Sequence, residues 1–209
     1  MSKHTPDAPA KVIFASRNRG KAKELAELVA DAGIELLSLA DLPGAPEVVE
    51  DGATFEENAA TKARAIAAWA GLPAVADDSG LEVDAIGGAP GVRSARFAGD
   101  GATDAENNAK LLRMMADVPP GHRTARFVSV IAVATPAGKV STVRGTCEGI
   151  IGHEPRGAGG FGYDPLFIVP EYGLTFAEMD LATKNRISHR GRAFRLARDL
   201  LIAAAQGRM

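Results

Sequence analysis

The chain has 209 residues, 46% of them apolar and 24% charged, a balance that builds a packed core and excludes disorder in the bulk. Its 24 basic and 26 acidic side chains leave a net charge of −2, whereas sequence-independent nucleic-acid binders carry a basic excess, so no nucleic-acid partner is expected. The single cysteine excludes an internal disulfide and a Cys-rich zinc site and fits a cytoplasmic location, and no apolar run reaches membrane-spanning length, so no membrane partner is expected.

Met1–Ala10 is polar and broken by prolines; it reads as a flexible tail rather than a signal peptide and leaves 11–209 as a single domain. Lys11–Ala15 (KVIFA) is a buried strand by length, Ser16–Lys21 (SRNRGK) a loop, and Lys21–Ala32 a helix with Leu25, Leu28 and Val29 on one face and Gly33 as its stop. Glu35–Leu39 is a second strand. The loop Leu42–Gly52 carries Glu47, Glu50 and Asp51. Thr54-Phe55-Glu56-Glu57 has the spacing of a capping box, so a helix starts there, with Ala59, Ala63, Ile66, Ala67 and Ala70 on one face and Gly71 at its end. Pro73–Ala76 is a short strand that delivers Asp77-Asp78-Ser79-Gly80 at its exit, and Glu82–Ile86 is a further extended piece. Asp104–Met115 has helical spacing. Arg126–Ala134 and Lys139–Cys147 are strands of a hairpin turning at Thr135–Gly138. After the glycine-rich Arg156–Gly162 come a strand at Leu166–Val169 and a helix at Phe194–Ala205. The alternation, with one antiparallel hairpin, gives an α/β fold with a mixed sheet.

Four segments carry chemistry. Strand, Ser16-Arg17-Asn18-Arg19-Gly20-Lys21, helix is the context of a phosphate-binding loop, although Ala15 and Ala22 stand where a Walker loop needs glycine and a magnesium-binding hydroxyl. A helix start with solvated basic residues is the other reading. Asp77-Asp78-Ser79-Gly80 puts two acids at a strand end, where open α/β sheets place ligands, or forms a plain D-S-G turn. Successive strand residues face opposite ways, so the two aspartates should differ in role. Phe161, flanked by Gly160 and Gly162, offers a stacking face or sits in a glycine-rich turn. Lys184–Arg192 is a basic run, either a ligand site or a solvated helix start. Cys147 reads as a structural thiol.

From Val12 to about Leu201 the chain resembles the inosine triphosphate pyrophosphatase family, which includes the bacterial dITP/XTP pyrophosphatases. The resemblance rests on Ser16–Lys21, Thr54-Phe55-Glu56-Glu57-Asn58-Ala59 with Lys62, Ala76–Leu81, Gly87–Val92, Ser94-Ala95-Arg96-Phe97, Phe161–Pro165 and Ser188-His189-Arg190, in that order. It implies an elongated mixed sheet flanked by helices, two lobes with a substrate cleft between them, and a homodimer. It also implies Mg2+-dependent hydrolysis of ITP, dITP and XTP to monophosphate and pyrophosphate. By position, Ser16, Arg17, Asn18, Arg19, Gly20, Lys21 and Lys62 would hold the triphosphate, and Glu50 with Asp78 the metal. Asp78 would also accept the proton of the attacking water, with Ser79 beside it. Phe161, Gly162, Tyr163, Asp164, Lys184, His189 and Arg190 would hold the nucleoside. A nucleotide-sensing or single-strand nucleic-acid-binding protein without hydrolysis is the alternative, supported by the Phe161 loop and the basic run; a kinase or phosphate-releasing NTPase is disfavoured by the failed Walker positions.

Overall fold

A computed structural model describes residues 9–209, apart from the side chains of Glu24 and Leu28; the expected tail therefore lies outside the described residues except for Pro9 and Ala10. Ala10 belongs to the first strand, β1 (Ala10–Phe14), not to a tail. Helix α1 (Arg19–Val29) follows, capped by the Asn18 side chain, which accepts from Lys21 N. Arg19 and Gly20 therefore lie in its first turn, where a loop was expected, because the asparagine supplies an acceptor for an otherwise orphaned amide. Strand β2 (Ile34–Ser38) leads through a loop to α2 (Phe55–Ala70), whose Thr54–Glu57 capping box closes as expected and whose end is the left-handed Gly71.

The largest departure from the sequence reading is β3 (Ala74–Val83), a ten-residue strand that runs through Asp77-Asp78-Ser79-Gly80 without a break. The expected strand exit and D-S-G turn do not form, because every residue of the segment pairs with the neighbouring strand, Asp78 opposite Val130 and Gly80 opposite Val128. Gly80 is there for close approach rather than for turning. A Cβ on it would meet the Gly91 carbonyl and Ser94 Oγ at 2.5 Å.

Helix α3 (Asp104–Met114) precedes the hairpin of β4 (Thr124–Ala134) and β5 (Val140–Ile151). Strands β6 (Phe167–Val169) and β7 (Leu174–Thr175) and helices α4 (Leu181–Ile187) and α5 (His189–Ala205) complete the chain. Helix α5 begins five residues earlier than expected, since the Ser188 hydroxyl caps it by accepting from Gly191 N. The sheet has the order β2-β1-β3-β4-β5-β6-β7, parallel where β1 pairs with β2 and β3 and antiparallel from β3 onward.

Alternation along the strands decides which helix covers which face. Ile13, Ala74, Ala76, Val128 and Val130 pack with Phe55, Ala59, Ala63 and Ile66 of α2. The intervening Val12, Phe14, Val75, Ile131 and Val133 pack on the other face with Leu25 of α1 and Phe194, Ala197 and Leu201 of α5. A third cluster, built on Leu81, Leu111, Phe127, Phe167 and Phe176, fills the other end of the sheet beneath α3. Buried there, the Cys147 thiol is pushed up to about 11, which keeps it protonated and inert.

Candidate active site

The alternation that sorts the core also sorts the two aspartates. Asp77 points to the α1/α5 face, and its side chain is fully buried. Lys21 Nζ of α1 lies 2.7 Å from Oδ2, and Arg190 Nε of α5 lies 3.3 Å from the same oxygen. Ser79 Oγ donates to Oδ2 at 3.1 Å and Ser129 Oγ to Oδ1 at 2.6 Å. Arg190 Nη2 in turn donates to Ser79 Oγ at 3.1 Å.

Asp78 points the other way, towards α2. Asn58 Nδ2 donates to its Oδ2 at 3.1 Å, and Lys62 Nζ stands 3.6 Å from Oδ1. Asn58 and Lys62 are four residues apart and share one helix face, so α2 presents both to the strand together. The Lys62 ammonium also donates to the Asp77 carbonyl at 3.0 Å and pairs with Glu50 Oε2 at 3.0 Å. One cation thus serves two carboxylates. The Glu50 loop is held by Arg96, whose Nη2 donates to the Glu50 carbonyl at 2.9 Å, and by Arg17, whose Nη2 donates to the Ala45 carbonyl at 3.2 Å.

A third group lies between the glycine-rich segment and α4. The Asp164 carboxylate accepts from Lys184 Nζ and from Phe161 N, each at 2.9 Å. The Lys184 ammonium is 5.0 Å and the Arg190 guanidinium 5.4 Å from the centroid of the Phe161 ring. His189 stacks on Phe127 at 4.7 Å, and Tyr163 OH donates to the Ser94 carbonyl at 2.8 Å. Of the two readings of Lys184–Arg192, the solvated helix start fails for these residues. Lys184, His189 and Arg190 are all buried, because carboxylates and rings from distant parts of the chain receive them.

These groups open on one cavity of about 480 Å³. Of the residues singled out in the sequence, Ser16, Arg17, Asn18, Lys21, Glu50, Lys62, Asp78, Ser79, Phe161, Gly162, Tyr163, Asp164, Lys184, His189 and Arg190 line it. Arg19 and Gly20 do not. Arg19 is exposed, and Gly20 sits behind the Phe161 ring, which a Cβ there would approach to 3.3 Å. Sequence reasoning left Asp77 without a role and missed Asn58, Ser129 and Arg96. The i, i+4 relation of Asn58 to Lys62 was a usable signal; Ser129 had none, since only the β3–β4 register brings it to Asp77.

Charge is balanced unevenly across the site. Burial alone would raise the Asp77 carboxyl, but Lys21 and Arg190 hold it well below the usual carboxylate range. Burial raises the Asp78 carboxyl above its ordinary value; Lys62 pulls against this and the nearby Glu50 charge adds to it. Burial, reinforced by the Arg190 charge, lowers the His189 imidazole well below 6.5, so the ring is neutral. Among the described residues no cluster of three or more His, Cys, Asp or Glu could cage a metal. Glu50 and Asp78 nevertheless face one shared cation, Lys62, and offer only carboxylate oxygen. That donor set suits a hard divalent ion completed by water and phosphate oxygens.

Fold and site together define an α/β protein that can hold a polyanion and a hard cation beside an aromatic face. The chain belongs to the Ham1 family, whose family model matches residues 12–200. The dITP/XTP pyrophosphatase of Desulforamulus reducens is 56% identical over 191 residues, covering 91% of this chain and 95% of the relative. That of Geobacter sulfurreducens is 53% identical over 191 residues, covering 91% and 96%. Among solved structures, a HAM1 protein from Coxiella burnetii superposes with a TM-score of 0.85 at 43% identity, over 93% of this chain and 99% of that one.

Proposed function

We propose that this chain is a Mg2+-dependent nucleoside-triphosphate pyrophosphohydrolase that converts ITP, dITP and XTP to the monophosphate and pyrophosphate. One observation carries the reading. Within one cavity, Lys62 bridges Glu50 and Asp78, Lys21 and Arg190 converge on Asp77, and Phe161 offers a ring. The names of the relatives, dITP/XTP pyrophosphatase, support the same substrate class.

Attack of water on the α-phosphorus needs charge neutralisation, in-line placement and a proton acceptor, but no covalent nucleophile. Lys21 and Lys62, with Ser16, Arg17 and Asn18 at the start of α1, hold the phosphates. Glu50 and Asp78 hold the Mg2+, which when bound neutralises phosphate charge and makes water more acidic. Asp78 takes the proton. Asn58 fixes one of its oxygens, and a weak base suffices because the bound metal would make the water more acidic. Ser79 lies beside it, tied to Arg190. The purine stacks on Phe161, with Gly162, Tyr163, Asp164, Lys184, His189 and Arg190 around the nucleoside. The working form is a cytoplasmic homodimer in which 11–209 acts as one domain. Among the described residues no helix is long and apolar enough to cross a membrane.

Incubation with ITP and Mg2+, with separate assays for pyrophosphate and orthophosphate, tests this. Equal amounts of inosine monophosphate and pyrophosphate are expected. Orthophosphate would indicate a phosphate-releasing NTPase, and tight binding without either product would indicate a nucleotide sensor.

A further inference from the structure

The Phe161–Gly162 segment belongs to no helix or strand, yet it sets where the Phe161 ring stands in the cavity. Gly162 has φ of +61° and brings no side chain that could anchor the segment. Both polar groups of its backbone are taken by α3. Gly162 N donates to Asp104 Oδ2 at 2.6 Å, and Asn108 Nδ2 donates to the Gly162 carbonyl at 2.9 Å. Asp104 and Asn108 are one turn apart on one helix face, so α3 grips this residue from both sides of its α-carbon. The helix is itself tied down. Thr103 and Glu106 form a capping box, and Lys110 Nζ donates to the Phe97 carbonyl at 2.6 Å.

Asn108 is a poor choice for stability alone. It is buried, and its Oδ1 has no hydrogen-bond partner among the described residues. An unpaired buried acceptor costs free energy that an apolar side chain of similar size would not. The amide is therefore there for its donor. The Phe161 ring also has somewhere to go. A second cavity, of about 460 Å³, shares Asp104, Phe161 and Gly162 with the first and is also lined by Asn108. Released from α3, the ring could withdraw from the stacking position.

We propose that Asp104 and Asn108 are positioning residues that hold Phe161 as the purine-stacking face and thereby set affinity for the nucleoside without taking part in the chemistry. The proposal rests on the nucleotide reading given above. Its test is Asn108→Leu, which removes the donor and the orphaned acceptor together. Thermal stability should be unchanged or higher, and KM for ITP should rise about tenfold with kcat within about twofold of the parent. Inhibition by inorganic tripolyphosphate, which probes the phosphate end alone, should not move. Asp104→Ala should raise KM similarly, whereas Asp104→Asn, which keeps an acceptor for Gly162 N, should recover most of the loss. The Kd of inosine monophosphate, measured by calorimetry, should rise with KM and needs no turnover, so a failure of the hydrolysis reading leaves this test standing. An unchanged Kd in Asn108→Leu, or parallel losses of stability, kcat and tripolyphosphate inhibition, would overturn the proposal.

Discussion

Asp77 and Asp78 are neighbours on one strand, both buried, and they meet opposite environments. Asp77 is enclosed by Lys21, Arg190, Ser79 and Ser129, which occupy both its oxygens. Asp78 has one amide, one shared ammonium at 3.6 Å and a second carboxylate near by. Burial is the largest influence on each, yet the compensated carboxyl is lowered and the incompletely compensated one is raised. Desolvation thus raises a buried carboxyl only where partners leave part of its charge unanswered. Asp77 ties Lys21, Arg190 and Ser129 of three elements together, and Asp78 is the group that the proposed mechanism uses.

The sharpest way to break this contrast is to neutralise each acid in turn. Asp77→Asn leaves Lys21 and Arg190 facing a neutral amide in a dry interior, and losing one partner of a buried ion pair costs about 3–5 kcal/mol. Urea unfolding should show a lower midpoint at unchanged slope. A midpoint equal to the parent's would mean that the two cations find other carboxylates and that Asp77 does not tie these elements together. Asp78→Asn should do the reverse. Unfolding should barely change, while kcat falls at least ~10²-fold, equivalent to about 2.7 kcal/mol of barrier. A folded Asp78→Asn protein with near-normal turnover would remove Asp78 from the chemistry.

Lys21 belongs to the Asp77 side, but its side chain is 17% exposed and lines the cavity, so it can serve both Asp77 and a ligand. Lys21→Ala should weaken ITP binding by about tenfold or more, and inosine binding by much less, as expected if the ammonium meets phosphate. Calorimetry with both ligands checks it. Equal losses would assign Lys21 to the fold alone.

Local signals reached the parts of the fold that local chemistry makes. The Thr54–Glu57 box, the turn at 135–138 between β4 and β5 and the α3 start at Asp104 all form where spacing placed them. They failed where tertiary pairing overrides propensity. Two aspartates, a serine and a glycine read as a strand exit or a turn, yet β4 holds all four in a ladder. His189 and Arg190 read locally as either a ligand site or a solvated start, and a helix cap at Ser188 with the aromatic and acidic partners at Phe127 and Asp77 buries them. Ordered motifs of the family located most of the cavity lining. The division of labour between Asp77 and Asp78 needed the helices that cover each face of β3, which no single segment of sequence displays.

The smallest expected effect concerns His189, the neutral member of the Asp77 side. Its folded imidazole is depressed, so at mildly acid pH the unfolded chain takes up a proton that the folded chain refuses. The contribution of His189 is complete above the unfolded value near ~6.5 and is lost as pH falls below it, by about 1.4 kcal/mol per pH unit. Asp78 and Asp164 act in the opposite sense. Burial raises both carboxyls, so they protonate in the folded state first and return stability as pH falls. Asp77, being lowered, adds to the acid loss only once the pH enters the ordinary carboxylate range. A parent curve alone would mix these opposing groups. The comparison with His189→Phe, which keeps a flat ring against Phe127, subtracts everything but the imidazole. Between pH 6.5 and 5.5 the parent should lose about 1 kcal/mol more than the variant in urea-derived stability. Parallel curves would mean that His189 accepts its proton without unfolding, and that the Asp77 side of the strand is less closed than its burial indicates.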